Sequence, residues 1–359
     1  MTNSLTSLSR RALATFAAVL LSASAFAADQ IELRVGAISA ADGRPVASGV
    51  WGVFDDKGWL KEALAKINVK VRTVYLTGAG PAVNEAFAND TIDAAMYGDL
   101  PAIVGKAGGL DTVWLAGNSI GNQAALVVPG DSPATSLADL KGKRIVVHKG
   151  RPWELALALL LDEQGFKASD FKIYNVPEGQ IPNTVAAGAV DAAFVSYTTA
   201  LTIEKRNVGR QIWNNLNKSP HWRYTSELFA TRKFTDAHPE IVQVLVNQWV
   251  RASAWAAQNE EEYTRIGAKS SGAYDIDVKG RNGLPVAQTT SPTIPEFRIE
   301  HYRRSAEFAK KIGYIRSDID IPAWLNTSFL DKALKEQKLE NFWPALDKDG
   351  AVIPAPAAH

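Results

Sequence analysis

The sequence predicts an α/β protein of two lobes with a cleft between them. Three observations point there: strand-like and helix-like segments alternate, the alternation runs twice, and the chain crosses between the two runs two times. Residues 31–38 read as a strand, and 51–67 as a helix with apolar Val53, Phe54, Leu60 and Leu64 on one side. Residues 69–76 form the next strand, 81–88 a helix, 92–96 a short buried strand and 100–107 another helix. That order is βαβ grammar and predicts a parallel sheet covered on both faces. The second run places strands at 144–147, 171–176 and 190–195, with helices at 152–164 and 181–187 between them. "ANDTIDAAM" in the first run and "AGAVDAAF" in the second share one order of helix end, turn and buried strand, from internal duplication or from convergent grammar. From about residue 234 the pattern is helical, over 239–258, 295–312 and 331–337.

Between the runs, a strand at 124–128 leads into a Pro/Gly/Ser-rich stretch, and a return strand reads at 226–230. Two crossings imply a discontinuous first lobe, 28–127 plus 228–359, and an inserted second lobe, 128–227. Such an arrangement puts a cleft at the C-terminal ends of the strands, where open α/β sheets bind ligands.

Composition narrows the function. The chain has 359 residues, Lys+Arg 39 against Asp+Glu 38 and no cysteine. Mixed charge gives no basic footprint for nucleic acid and no polybasic membrane patch. Without cysteine there is no disulfide framework, thiolate nucleophile or lipidated cysteine. Residues 1–27 read as a cleavable signal peptide: Arg10 and Arg11 precede an apolar run too short to span a bilayer, ending in Ala25, Phe26, Ala27. Either the general secretory or the twin-arginine route is compatible with the arginine pair. The expected location is the periplasm.

No catalytic signature emerges. The five histidines never fall at i, i+4, and neither a Gly-x-Ser-x-Gly elbow nor a phosphate-binding loop occurs. Gly78, Ala79 and Gly80 follow a strand and open a helix, but Val83 stands where a dinucleotide fingerprint needs its third glycine. The segment reads either as a tight turn or as an anion site of backbone amides at a helix entrance, with Pro81 suited to the first turn. A similar entrance recurs at His148, Lys149, Gly150, Arg151 and Pro152. There Arg151 is either a solvated loop arginine or a bidentate donor to an oxyanion.

The segments "LTGAGPAVNEAFANDTIDAAMYGDLPAIVGKAGG", "LKGKRIVVHKGRPWELALALLLDEQGFKASDF", "AGAVDAAFV" and "FTDAHPEIVQVLVNQWVRASAWAAQNEEEYTRI" resemble the periplasmic aliphatic sulfonate-, taurine- and nitrate-binding proteins of ABC transporters. The resemblance implies a type II periplasmic binding fold with a two-strand hinge. It implies a monomer without catalytic activity or cofactor, closing on a small organic anion and presenting it to a permease and its ATPase. Carried over by position, the ligand residues are Ser39, Gly78, Ala79, Gly80, Gly98, Asp99, Gly150, Arg151, Tyr197 and Thr198. Two departures fall where the ligand belongs: Arg151 and Pro152 replace a Ser-rich loop, and Ser196, Tyr197, Thr198 replace a Trp-Asp-Pro type segment. Asp99 is either a helix cap or a partner for a ligand ammonium. Trp51 and Trp153 are either walls for an apolar ligand tail or core residues. The alternatives are a thiamine-pyrimidine precursor as substrate or ligand of an enzyme or binding protein of the same fold, and a nitrate-type inorganic anion.

Overall fold

The computed structural model describes residues 30–40 and 42–353, so the expected signal peptide lies outside them. The first lobe opens with strand β1 (Glu32–Ile38), then helices α1 (Gly49–Lys57) and α2 (Trp59–Ala65), strand β2 (Lys70–Leu76), helix α3 (Ala79–Ala88), strand β3 (Ala94–Gly98), helix α4 (Asp99–Ala107) and strand β4 (Thr112–Asn122). The single helix expected over 51–67 is two. Gly58 breaks it at φ 69, a left-handed conformation that a glycine adopts without a Cβ penalty, and its N–H caps α1 on the Phe54 carbonyl.

The second lobe comprises strands β5 (Ala124–Pro129) and β6 (Arg144–Val147), helix α5 (Trp153–Glu163), strand β7 (Lys172–Asn175), helix α6 (Ile181–Ala186), strand β8 (Ala192–Ser196), helix α7 (Tyr197–Lys205) and strand β9 (Gly209–Asn214). The chain returns on strand β10 (Tyr224–Thr231), followed by helices α8 (Pro239–Gln258), α9 (Glu260–Ser271), α10 (Tyr274–Gly280), α11 (Glu296–Lys311) and α12 (Ser328–Gln337).

Each lobe has a five-stranded sheet, and the two orders correspond: β2-β1-β3-β10-β4 in the first, β7-β6-β8-β5-β9 in the second. In each, three parallel strands meet a fourth running the other way, β10 against β3 and β5 against β8. The repeated "(I/V)DAA" motif has one job in both lobes. Asp93 accepts the Arg34 backbone N–H at 2.8 Å and its Nε at 2.9 Å; Asp191 does the same for Arg144, at 2.8 and 3.1 Å. An aspartate just ahead of the third strand thus clamps the start of the first.

The sheets also fix the crossings. β4 passes through Gln123 straight into β5, which pairs with β8 and β9, and residues 215–223 return the chain to β10, which pairs with β3 and β4. The exchanges therefore fall about four residues ahead of the expected boundaries at 127/128 and 227/228, because strands 124–129 and 224–231 lie wholly within one sheet each. Apolar faces are buried on both sides of both sheets. In the first lobe Leu245 and Trp249 of α8 pack one face and Ile103 of α4 and Tyr302 of α11 the other; in the second, Leu160 of α5 and Ile203 of α7 do so. Among the described residues no helix is long and apolar enough to cross a membrane.

Candidate ligand-binding cleft

The parallel strands of both lobes end at one cleft. β1 delivers Ser39, β3 delivers Gly98, β6 leads to Arg151, β7 to Glu178 and β8 to Ser196. These residues line a cavity of about 380 Å³ between the lobes, joined along Ser119, Asn122 and Ser226 to a second of about 430 Å³. A smaller one, of about 190 Å³, lies behind Ser39 at Gly78 and His148.

The lobes touch across this cleft at two reciprocal glycine–proline contacts. A Cβ on Gly98 of the first lobe would lie 2.0 Å from Cγ of Pro152 in the second, and one on Gly150 of the second would lie 2.4 Å from Cδ of Pro81 in the first. Two exposed ion pairs also span the lobes, Lys311 to Asp162 at 2.8 Å and Lys205 to Asp275 at 2.7 Å. Exposed pairs of this kind contribute little each, so the shape of the seam rather than its charges governs how closely the lobes meet.

Arg151 is the central charge. Its Nε donates to His148 Nδ1 at 3.4 Å and its guanidinium stacks 5.5 Å from the Trp153 ring, but among the described residues no carboxylate lies within 4.0 Å of it. Burial pushes its pKa down, and the nearby Glu178 and Tyr224 pull it back up. Arginine nonetheless stays protonated in proteins, so a cation faces the cavity with its terminal nitrogens free. His148 is uncharged: burial first, then the Arg151 cation, lower its pKa to about 4, and its Nδ1 accepts the Glu178 N–H at 3.1 Å. Beside Arg151 the cavity is lined by Ser39, Thr198 and Thr199, with the Trp153 ring against the guanidinium. A guanidinium with unengaged terminal nitrogens beside hydroxyl side chains can hold a compact anion. Among the described residues no group of three His, Asp or Glu side chains could hold a metal ion.

The residues singled out from sequence divide into two sets. Ser39, Gly98, Arg151 and Thr198 line the central cavity, and Gly78 the smaller one. Ala79 and Gly80 do not reach a cavity wall. Both are buried, and a Cβ on Gly80 would lie 2.1 Å from Pro101 and 2.8 Å from the Gly150 carbonyl, so this glycine serves close packing rather than an exposed amide. The Gly150 amide is also engaged, donating to Glu154 Oε2 at 2.6 Å. Tyr197 turns away to pack on the second-lobe core, since Ser196 caps α7 and leaves Thr198 as the residue facing the cavity.

Asp99 is 1% exposed with both oxygens taken: Oδ1 accepts the Leu100 N–H at 2.7 Å, and Oδ2 accepts the Thr225 N–H at 3.0 Å and meets His301 Nε2 at 2.7 Å. It satisfies an orphan donor in the first turn of α4 and ties that turn to β10 and α11; buried there, it lines neither main cavity. Trp51 is a core residue of the first lobe, while Trp153 packs in the second-lobe core and also borders the cavity.

Glu178, Ser196, Thr199, Tyr224 and Asp277 also line the cavity and were not expected from sequence. For Glu178 and Ser196 a signal existed, since they follow or end the strands β7 and β8 that pair with β6, the strand leading to Arg151. Tyr224 and Asp277 reach the cleft from β10 and α10, far along the chain, and nothing local marks them.

A family model described as NMT1/THI5 like matches residues 53–263, more than half of the chain. A Bacillus subtilis protein named for binding aliphatic sulfonates is 27% identical over 286 residues, covering 79% of this chain and 84% of its own. Among solved structures, one described as the periplasmic sulfonate-binding protein SsuA of a sulfonate ABC transporter from Methylobacillus flagellatus is 32% identical. It superposes with a TM-score of 0.75 over 89% of this chain and 98% of its own. At 18% identity, a TM-score of 0.66 and coverage of 86% and 99%, the desulfurization enzyme DSZB shares the fold alone. The chain belongs to the NMT1/THI5-like family and has the two-lobed fold of its periplasmic binding proteins.

Proposed function

We propose that this protein is the solute-binding component of an ABC importer, closing on an organic sulfonate and presenting it to a membrane permease and its ATPase. One observation carries the reading: Arg151 stands in the interlobe cavity with no carboxylate within 4.0 Å among the described residues. The names borne by the relatives from Bacillus and Methylobacillus support the same ligand class. A cavity of about 380 Å³ with a second beside it leaves room for an organic tail, which a nitrate-type ion would not fill. The signal peptide expected at 1–27 suits delivery to the periplasm, where a monomer shuttling ligand to a permease would work. No observation favours the thiamine-pyrimidine alternative, and ligand recovered chemically unchanged after prolonged incubation separates binding from turnover.

Arg151→Ala should weaken ethanesulfonate binding by about one to two orders of magnitude, the equivalent of a lost charged hydrogen bond of about 1.5–3 kcal/mol. Folding should be unchanged, because the side chain's one protein hydrogen bond is a long one to His148. Titration of the Trp153 fluorescence or calorimetry reads the affinity; a variant that binds as wild type contradicts the reading.

A taurine-like aminosulfonate is favoured by a separate observation. Asp277 lines both main cavities, and its hydrogen-bond partner is the Ser271 hydroxyl at 2.7 Å. That carboxylate is the one an ammonium would reach once Asp99 is occupied elsewhere. Asp277→Asn should then weaken taurine about tenfold or more and leave ethanesulfonate unaffected. Equal effects on the two ligands would remove taurine from consideration.

A further inference from the structure

Glu178 is a buried carboxyl in the wall of an anion site, a placement that needs its own explanation. It follows β7, is 7% exposed, and faces both the central cavity and the smaller one beside it. Its Oε1 accepts from the Ser196 amide at 3.3 Å and the Ser196 hydroxyl at 3.0 Å; the Thr199 hydroxyl stands beside the carboxyl, yet among the described residues none completes a hydrogen bond to Oε2. A carboxyl oxygen left alone at such depth is costly unless something from the cavity meets it.

The charges facing Glu178 are few. From the loop after β6 come the Arg151 cation and His148, which is neutral and already accepts the Glu178 N–H. From β10 comes Tyr224, whose hydroxyl burial keeps protonated, and from β8 and α7 come the uncharged Ser196 and Thr199. One cation is therefore shared by a carboxyl and an incoming monoanion. Arg151 can neutralise either but not both, and in a shut cleft the surplus negative charge is expensive. Burial already favours the neutral carboxyl, and a second negative group pushes the same way.

We propose that Glu178 is a neutral carboxylic acid in the closed complex, its Oε2–H donating to the anion held by Arg151, so that ligand binding takes up a proton. The inference rests on the anion-binding reading above. With the proton on Oε2, Oε1 becomes the carbonyl oxygen and keeps both Ser196 donors, the anion gains a donor opposite Arg151, and neither carboxyl oxygen is left without a partner. A ligand whose head group is acceptor-only, as a sulfonate is, fits this arrangement.

Calorimetric titration of the purified protein with ethanesulfonate and with taurine, in buffers of differing protonation enthalpy from about pH 5 to 9, tests this. The sign follows from linkage: a group that gains a proton on binding gives full affinity below its free-form pKa. Affinity then falls by up to tenfold per pH unit until the bound-form pKa is passed. Wild type should show that fall and a matching proton uptake. Glu178→Gln, which puts a permanent amide donor in the same place, should show neither the fall in affinity with pH nor the proton uptake. Binding without proton uptake in wild type overturns the proposal, as does uptake that survives in Glu178→Gln, since it then belongs to another group such as His148. Selective loss of taurine in Glu178→Gln also overturns it, because it would mean an ionised Glu178 pairing with the ligand's ammonium. If wild type binds neither compound at any pH, the functional reading itself fails and takes this inference with it. Should Glu178→Gln not fold, His148→Gln decides: proton uptake kept in that variant supports the proposal, and uptake lost there overturns it.

Discussion

Gly98→Ala should weaken sulfonate binding by about one to two orders of magnitude while leaving each lobe as stable as before. The added methyl would sit 2.0 Å from Pro152 Cγ and 3.2 Å from Cβ and Cδ of the same ring. A pyrrolidine cannot swing aside as a long side chain can, so the lobes must part. Overpacking of this kind costs about 1–3 kcal/mol, and here it falls on the contact between the lobes. Gly98 has φ −79 and ψ 166, ordinary for alanine, so the backbone is not strained. The reciprocal Gly150→Ala is a poorer experiment, because its φ of +75 adds a conformational penalty to the clash with Pro81. Solution scattering checks the mechanism. Wild type should contract at saturating ethanesulfonate, and Gly98→Ala should contract less or not at all; equal contraction and equal affinity would show that the glycine–proline seam does not limit closure.

Arg298→Ala should be the most damaging substitution for folding, at about 3–5 kcal/mol. Arg298, Glu227 and Tyr302 are fully buried beneath the cleft floor. Arg298 donates to Glu227 Oε1 at 2.5 Å and to the carbonyls of Ser119 and Ser291 at 3.0 and 3.1 Å, while Tyr302 donates to Glu227 Oε2. The guanidinium thus joins β4, β10 and α11 where the chain changes lobes. Its removal strands a carboxylate and two carbonyls in a dry interior. Gly117 shares the design: a Cβ there would lie 2.8 Å from the guanidinium carbon. Urea unfolding measures the loss, and a drop below about 1 kcal/mol would mean that water replaces the guanidinium without strain. Exchanging Arg298 and Glu227 together for apolar residues of similar volume should cost much less, since no buried charge is then left alone.

Much of this architecture was legible from local pattern. Strand 144–147 and helix 239–258 were read with the bounds they have, since an apolar run between turn residues and a long helical periodicity are both signals carried by neighbours in sequence. β4 was missed because Gly117, Gly121 and two asparagines interrupt its run; those glycines answer to Arg298 and to the crossing, not to strand propensity. Arg151 was found because a cation after a strand and before a helix is a local motif. Asp99 was left open for the opposite reason. The histidine that occupies it is 202 residues away, and only the packing of α11 on α4 brings them together. Glu178 was passed over because Pro-Glu-Gly after a four-residue strand reads as a turn.

A crystal structure of the protein with ethanesulfonate tests the central claim most directly. A sulfonate should lie in the interlobe cavity, its oxygens about 2.8 Å from the Arg151 guanidinium nitrogens, with Gly98 in contact with Pro152. A sulfonate seated elsewhere, or one in the cleft held at the Gly78 helix entrance with Arg151 turned away, would contradict it.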